Sequence, residues 1–150
     1  MADYFTNFSL VLDLPAESAQ AYALKIASQA EACCYDAEIP ADFPPCLVEV
    51  LEGWLFETET ESSPGQWGLW LHSSSGGIDA VCAFIQHLLI KFQIKGSVGF
   101  EWSNDCSKPR TDAYGGGAVV VTASKIKSMT TGDWLSKQAA RDRRQQENRK

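Results

Sequence analysis

IDAVCAFIQHLLIKFQI, residues 78–94, sets Ile78, Val81, Cys82, Ile85, Leu88, Leu89 and Phe92 at i, i+3, i+4, i+7 spacing, the rhythm of a helix with one apolar face. Asp79, Gln86, His87, Lys91 and Gln93 interrupt the run, so it is expected to cover a protein core and not to cross a membrane. A helix of this kind needs a surface to cover, and the flanking sequence supplies strands. Upstream, LVEVLEGWLFETETE (47–61) reads as a long strand, bulged at Gly53 where the apolar parity slips, and the ESSPGQ turn returns it into QWGLWLH (66–72) as a hairpin. Downstream, GSVGFEWS (96–103) and GGAVVVTAS (116–124) give two more strands.

Nearer the start, Phe8, Leu10, Leu12 and Leu14 alternate with Ser9, Val11 and Asp13, the period of two of a half-buried strand. Pro15 ends it, and Ala19, Tyr22, Ala23, Ile26, Ala30 and Cys33 form the apolar stripe of a first helix whose alanines allow close approach to a sheet. YDAEIPADFPPC (35–46) carries neither rhythm and reads as an ordered loop. TGDWLSKQAARDRRQQENRK closes the chain as a short helix fraying into a charged tail.

The order β-α-β-β-α-β-β plus a C-terminal helix predicts an α+β, ferredoxin-like fold with one added strand. Right-handed crossovers then place both helices on one face of a mostly antiparallel sheet. Residues 1–131 are expected to form a single domain, with 132–150 as helix and tail. At 150 residues, 45% hydrophobic and 21% charged, the chain is long enough to bury its own core without disulfide or metal staples. Cys33, Cys34, Cys46, Cys82 and Cys106 are odd in number and lack C-x-x-C spacing, so they are expected to be free thiols of a protein in the reducing cytoplasm. The opening MADYFTNFSLVLDL lacks the basic and small-residue features of a signal peptide.

Charge is unevenly placed. Residues 1–131 hold 7 basic and 16 acidic side chains, net −9, whereas 132–150 hold 6 and 3, net +3. An acidic body repels phosphates, so nucleic-acid binding is disfavoured.

Five places could carry function. DCSKPRTDAYGGG (105–117), between the last two expected strands, is long for such a connection and holds Lys108 and Arg110. A guanidinium with exposed backbone N–H groups suits a carboxylate or phosphate, which makes Lys108, Arg110, Asp112, Tyr114, Gly115 and Gly116 candidate contacts. The structural alternative pairs Arg110 with Asp105 or Asp112 and uses the glycines to turn the chain. HSSSGGIDA (72–80) opens the second helix, where Ser74 and Ser75 are candidates for an anion at the helix start. Neither a Walker pattern nor G-x-G-x-x-G is present, and Ser75 with Asp79 could cap the helix instead.

His72, on the face shared with Trp70, is the third candidate; with Cys106 it would form a weak nucleophilic pair. No H-E-x-x-H or Cys/His spacing occurs, so neither a metal nor a cofactor is expected. Trp70 is the fourth, an outward aromatic on the open sheet face that Trp54 or Phe56 could join across the slip at Gly53. Exposed aromatics there would mark a partner or dimer surface unless Trp134 and Leu135 fold back over them. Last, Glu57, Glu59 and Glu61 line one side of a strand end, a solvated edge or, in a sharper reading, an acidic mimic of nucleic acid.

Trp102, Cys106-Ser107-Lys108-Pro109-Arg110, Asp112, Tyr114 and Gly115-Gly116-Gly117, followed by Trp134-Leu135, make residues 96–136 resemble a family of small uncharacterised proteins of bacteria, phages and other mobile elements. The resemblance implies a mobile-element context and no catalytic residues. The leading expectation is a non-enzymatic binding protein, an accessory factor of inhibitor or anti-defence type that engages a host protein or pairs with itself through the open sheet face. The alternatives are a small anion- or nucleotide-sequestering protein using the 105–117 loop, and a thiol-dependent enzyme using Cys106.

Overall fold

Alternation and helical rhythm resolve, in the computed structural model, into six strands and three α-helices over the described residues 2–149. Met1, at the head of the opening strand sequence, and Lys150, at the end of the tail, lie outside the described residues. Strand β1 spans Tyr4–Leu14, helix α1 Glu17–Cys33, β2 Glu57–Ser63, β3 Gln66–Ser73, α2 Ile78–Lys91, β4 Val98–Cys106, β5 Gly115–Val121, β6 Ile126–Thr130 and α3 Thr131–Asn148. A single sheet runs β2-β3-β1-β4-β5-β6, and every neighbouring pair is antiparallel. Its first four strands stand in ferredoxin-like order, and β5 and β6 extend it beyond β4. The fold is α+β, as the rhythms predict.

One core lies between the sheet and the helices. Phe8, Leu12 and Leu14 of β1, Leu69 and Leu71 of β3, and Phe100, Val119 and Val121 farther along all point into it. From the other side α2 inserts Val81, Phe84, Ile85, Leu88 and Leu89, and α1 inserts Ile26 among its small alanines. Each large side chain removed from water contributes roughly 1.5–3 kcal/mol. Among the described residues Gln20 is the buried polar exception, and its amide donates to Gly68 O at 2.8 Å and to Ser62 Oγ at 2.9 Å. These bonds tie α1 to the β2–β3 hairpin.

Four expectations need correction. The stretch from residue 47 is not a strand: Pro45–Gly53 forms a 3-10 helix, and β2 starts only at Glu57. Pro45 sits in its first turn, and Leu47, Leu51 and Trp54 are buried at i, i+4, i+7, so the parity slip at Gly53 was a helical period. Consequently Trp54 and Phe56, each 6% exposed, pack in the core with their rings tilted against Phe84 at centroid distances of 5.1 and 6.0 Å, and do not join Trp70 outside.

Next, a sixth strand exists. Thr122 Oγ1 accepts from the Ser124 and Lys125 N–H groups and folds a tight turn that lays β6 along β5. As an exposed edge strand, β6 offers no apolar alternation to read. Third, β5 begins at Gly115, so the whole glycine run belongs to it, one residue earlier than the strand expected from Gly116. Gly117 lies under the Trp102 indole, where a Cβ would collide with the ring, and Gly116 meets the Trp102 carbonyl. Finally, the C-terminal helix is long: α3 covers 18 residues, capped by Thr130 Oγ1, which accepts from Asp133 N–H at 3.2 Å. It buries none of its residues, and Trp134 and Leu135 stay 56% and 62% exposed, so they do not close over the sheet.

Candidate functional site on the open sheet face

With both core helices on one side, the alternate residues of every strand face the other side uncovered. On β1 these are Ser9, Val11 and Asp13, and the register places them beside His72, Trp70 and Gly68 of β3. Beyond them Glu57, Glu59 and Glu61 of β2 pair with the same three β3 residues. Trp70 Nε1–H donates to Ser9 Oγ at 2.8 Å, and its ring stacks on the His72 imidazole at 3.9 Å. His72 Nε2 in turn lies 2.7 Å from the Glu59 carboxylate and 3.7 Å from Glu57. An aromatic plate is thus locked by hydrogen bonds inside an acidic border, with exposed Val11 next to it. On the far half, Ala118 faces Met129 and Val120 faces Lys127 across β5 and β6; Val120 and Met129 are exposed.

Glu57, Glu59 and His72 hold their ligand atoms within 4.8 Å of one another. Strand pairing converges them without any metal-binding spacing in the sequence. The hydrogen bond from the imidazole to Glu59 accounts for the cluster.

The loop after β4 is shorter than the sequence suggests, because β5 begins at Gly115. Its start is tied down by Asp3 N–H to Ser107 Oγ at 2.8 Å and Ser107 N–H to Asp3 O at 2.9 Å. Ala113 is the buried anchor. Lys108, Arg110, Asp112 and Tyr114 are all exposed, and among the described residues neither basic side chain forms an ion pair. Arg110 therefore does not brace its own loop through Asp105 or Asp112. Gly115 and Gly116 are strand residues, and Gly116 N–H donates to Thr131 Oγ1 at 3.1 Å.

The serine-glycine loop is stitched to β1. Thr6 N–H donates to Ser74 O and Gly76 N–H to Thr6 O, each at 3.1 Å, while Ser75 N–H donates to Ser73 Oγ at 2.9 Å. Those donors are spent on the fold. Gly77, with φ of +89°, is the N-cap of α2, and no side chain caps that helix, so Ser75 and Asp79 do not do so. Cys106 and His72 do not meet: they stand opposite Tyr4 and Ser9 of β1, five residues apart and so roughly 17 Å along the strand, on opposite faces.

Sequence reasoning missed Glu57 and Glu59 as partners of His72, since their meeting depends on strand register. It also missed where His87 points, toward Tyr22 and Cys46 on the helical side. The chain matches no protein-family model, and no curated protein or solved structure matches it significantly. Among the described residues no helix is long and apolar enough to cross a membrane.

Proposed function

We propose that this chain is a non-enzymatic protein-binding module whose open sheet face receives a basic, apolar-tipped segment of a partner protein. The observation that carries this reading is the sheet surface left bare opposite α1 and α2, with Trp70 and Val11 inside a border of Glu57, Glu59, Glu61 and Asp13. Aromatic centres with polar rims are how protein interfaces concentrate binding energy, and an acidic rim steers a basic partner toward them. An accessory factor of a phage or mobile element that engages a host protein fits this description.

A second reading has its own observation. The chain carries a segment of the required chemistry: α3, unburied, presents Trp134 and Leu135 ahead of Lys137, Arg141, Arg143 and Arg144. In this reading the occupant is the α3 of a second copy.

The test is affinity capture from host lysate with three baits: the native chain, an open-face variant carrying Val11→Lys and Trp70→Glu, and a control carrying Tyr35→Glu. A partner kept by the native and control baits and lost by the open-face variant supports the proposal. The same proteins retained by all three overturn it. Sedimentation equilibrium decides the second reading: a concentration-dependent dimer that Trp134→Ala abolishes is expected there, and a monomer at all concentrations removes it.

A further inference from the structure

Three side chains from separate elements meet on the helical side, away from the open face. Tyr22 stands in α1, His87 in α2, and Cys46 in the first turn of the 3-10 helix. His87 Nε2 lies 2.8 Å from Tyr22 Oη, and His87 Nδ1 lies 3.6 Å from Cys46 Sγ. Both ring nitrogens are engaged, so the tyrosine orients the ring that faces the thiol. A thiol aligned on a base, with the base aligned by a third group, is the arrangement that nucleophilic catalysis requires.

The surroundings fit that use. Cys46 is exposed and His87 half-buried. Burial, reinforced by the charge of Lys91, holds the His87 pKa below its ordinary value. The ring is neutral at neutral pH and has a lone pair to offer when Nε2–H is donated to Tyr22. One cation without an ion-pair partner among the described residues flanks the group, Lys91, whose Nζ sits 4.5 Å from the Tyr22 ring centre, while nearby Lys25 is paired with Asp42 at 2.8 Å. Among the described residues, Cys46 is the one thiol that faces an imidazole. Cys34 donates to backbone carbonyls, and burial pushes the Cys82 thiol up to about 12.

We propose that Cys46, His87 and Tyr22 form a reactive-thiol site for exchange with small anionic disulfides. Cys46 Sγ attacks one sulfur of the disulfide while its proton passes to His87 Nδ1. The S–S bond breaks, and its electron pair leaves with the second sulfur, which takes the proton back from His87 and departs as a thiol. Cys46 remains as a mixed disulfide, so a thiol and a disulfide have become a different disulfide and a different thiol. Cys46 is the nucleophile and His87 the general base; Tyr22 is a positioning residue. The site is independent of the open-face reading.

The experiment follows the native protein reacting with 5,5′-dithiobis(2-nitrobenzoate), a disulfide bearing two carboxylates, with peptide mass mapping of the labelled cysteine. Cys46 is expected to react first, at least about tenfold faster than Cys33, Cys34 or Cys106. Its rate is expected to stay nearly flat from pH 8 to 6.5, whereas a thiol without a base slows about tenfold per pH unit. His87→Gln should restore that steep dependence, and Tyr22→Phe should do so in part while leaving the circular dichroism unchanged. Equal labelling of the exposed thiols, or a steep profile for Cys46 in the native protein, overturns the proposal, and neither reading depends on a variant that folds.

Discussion

Gln20 shows how much one buried polar side chain can settle. Its amide joins α1 to both strands of the β2–β3 hairpin, so removing it leaves the Gly68 carbonyl without that partner beneath a helix. Gln20→Ala is expected to lose about 1–2 kcal/mol, read from the urea midpoint at unchanged slope; an unchanged midpoint would show that water replaces it freely. His87 makes the stability depend on pH. Its folded pKa is depressed by burial and then by Lys91, so below its ordinary value the unfolded chain binds the proton more readily than the folded one. Stability is therefore full above about pH 6.5 and falls as pH drops from there to the folded value. His87→Gln should erase that portion of the pH dependence in denaturant titrations, and an unaltered profile would count against the assignment. At this scale the sequence is least informative. Glu59 meets His72, and Cys46 meets His87, across gaps of 13 and 41 residues, and nothing local announces either meeting.

Elements were legible in proportion to their periodicity. Helix α2 and strand β1 declare themselves because their buried residues recur at 3.6 and 2.0. The 3-10 helix was hidden because Leu47, Leu51 and Trp54 fit a bulged strand as well as a helical turn, and only Pro44-Pro45 ahead of them argued for the helix. Strand β6 was hidden because an exposed edge has no apolar face to alternate. Gly116 and Gly117 read both as loop and as strand because the reason for glycine there, the Trp102 indole lying over Gly117, comes from the neighbouring strand. Helix α3 is held by its Thr130 cap and by Thr131 bonded to Gly116, with no residue buried. A chain ending after Gly132 is thus expected to keep its sheet and to melt within a few degrees of the full chain, since a loss of about 1 kcal/mol moves the midpoint of a domain this size by only that much. Cooperative unfolding lost on truncation, followed by calorimetry, would show that α3 supports the core.

For the whole molecule, the decisive asymmetry is that α1, α2 and the 3-10 helix share one side of a six-stranded sheet. That side needs no partner. The other side holds a fixed aromatic plate in an acidic rim, and α3, with Lys137, Arg141, Arg143 and Arg144 along its exposed length, follows edge strand β6 at the sheet's far end. Element order foretold the asymmetry, because split β-α-β connections of one hand must land their helices together. It could not foretell which aromatics remain outside, since that turned on whether Trp54 sat in a strand or a helical turn. Hydroxyl-radical footprinting at a concentration that keeps the protein dilute tests the open face most directly. Met129 should oxidise fast and Trp70 at an intermediate rate, with Trp54 protected in the core, whereas a protected Met129 and Trp70 would mean that the bare side of the sheet is covered, and a fast-oxidising Trp54 that the helical side is not closed.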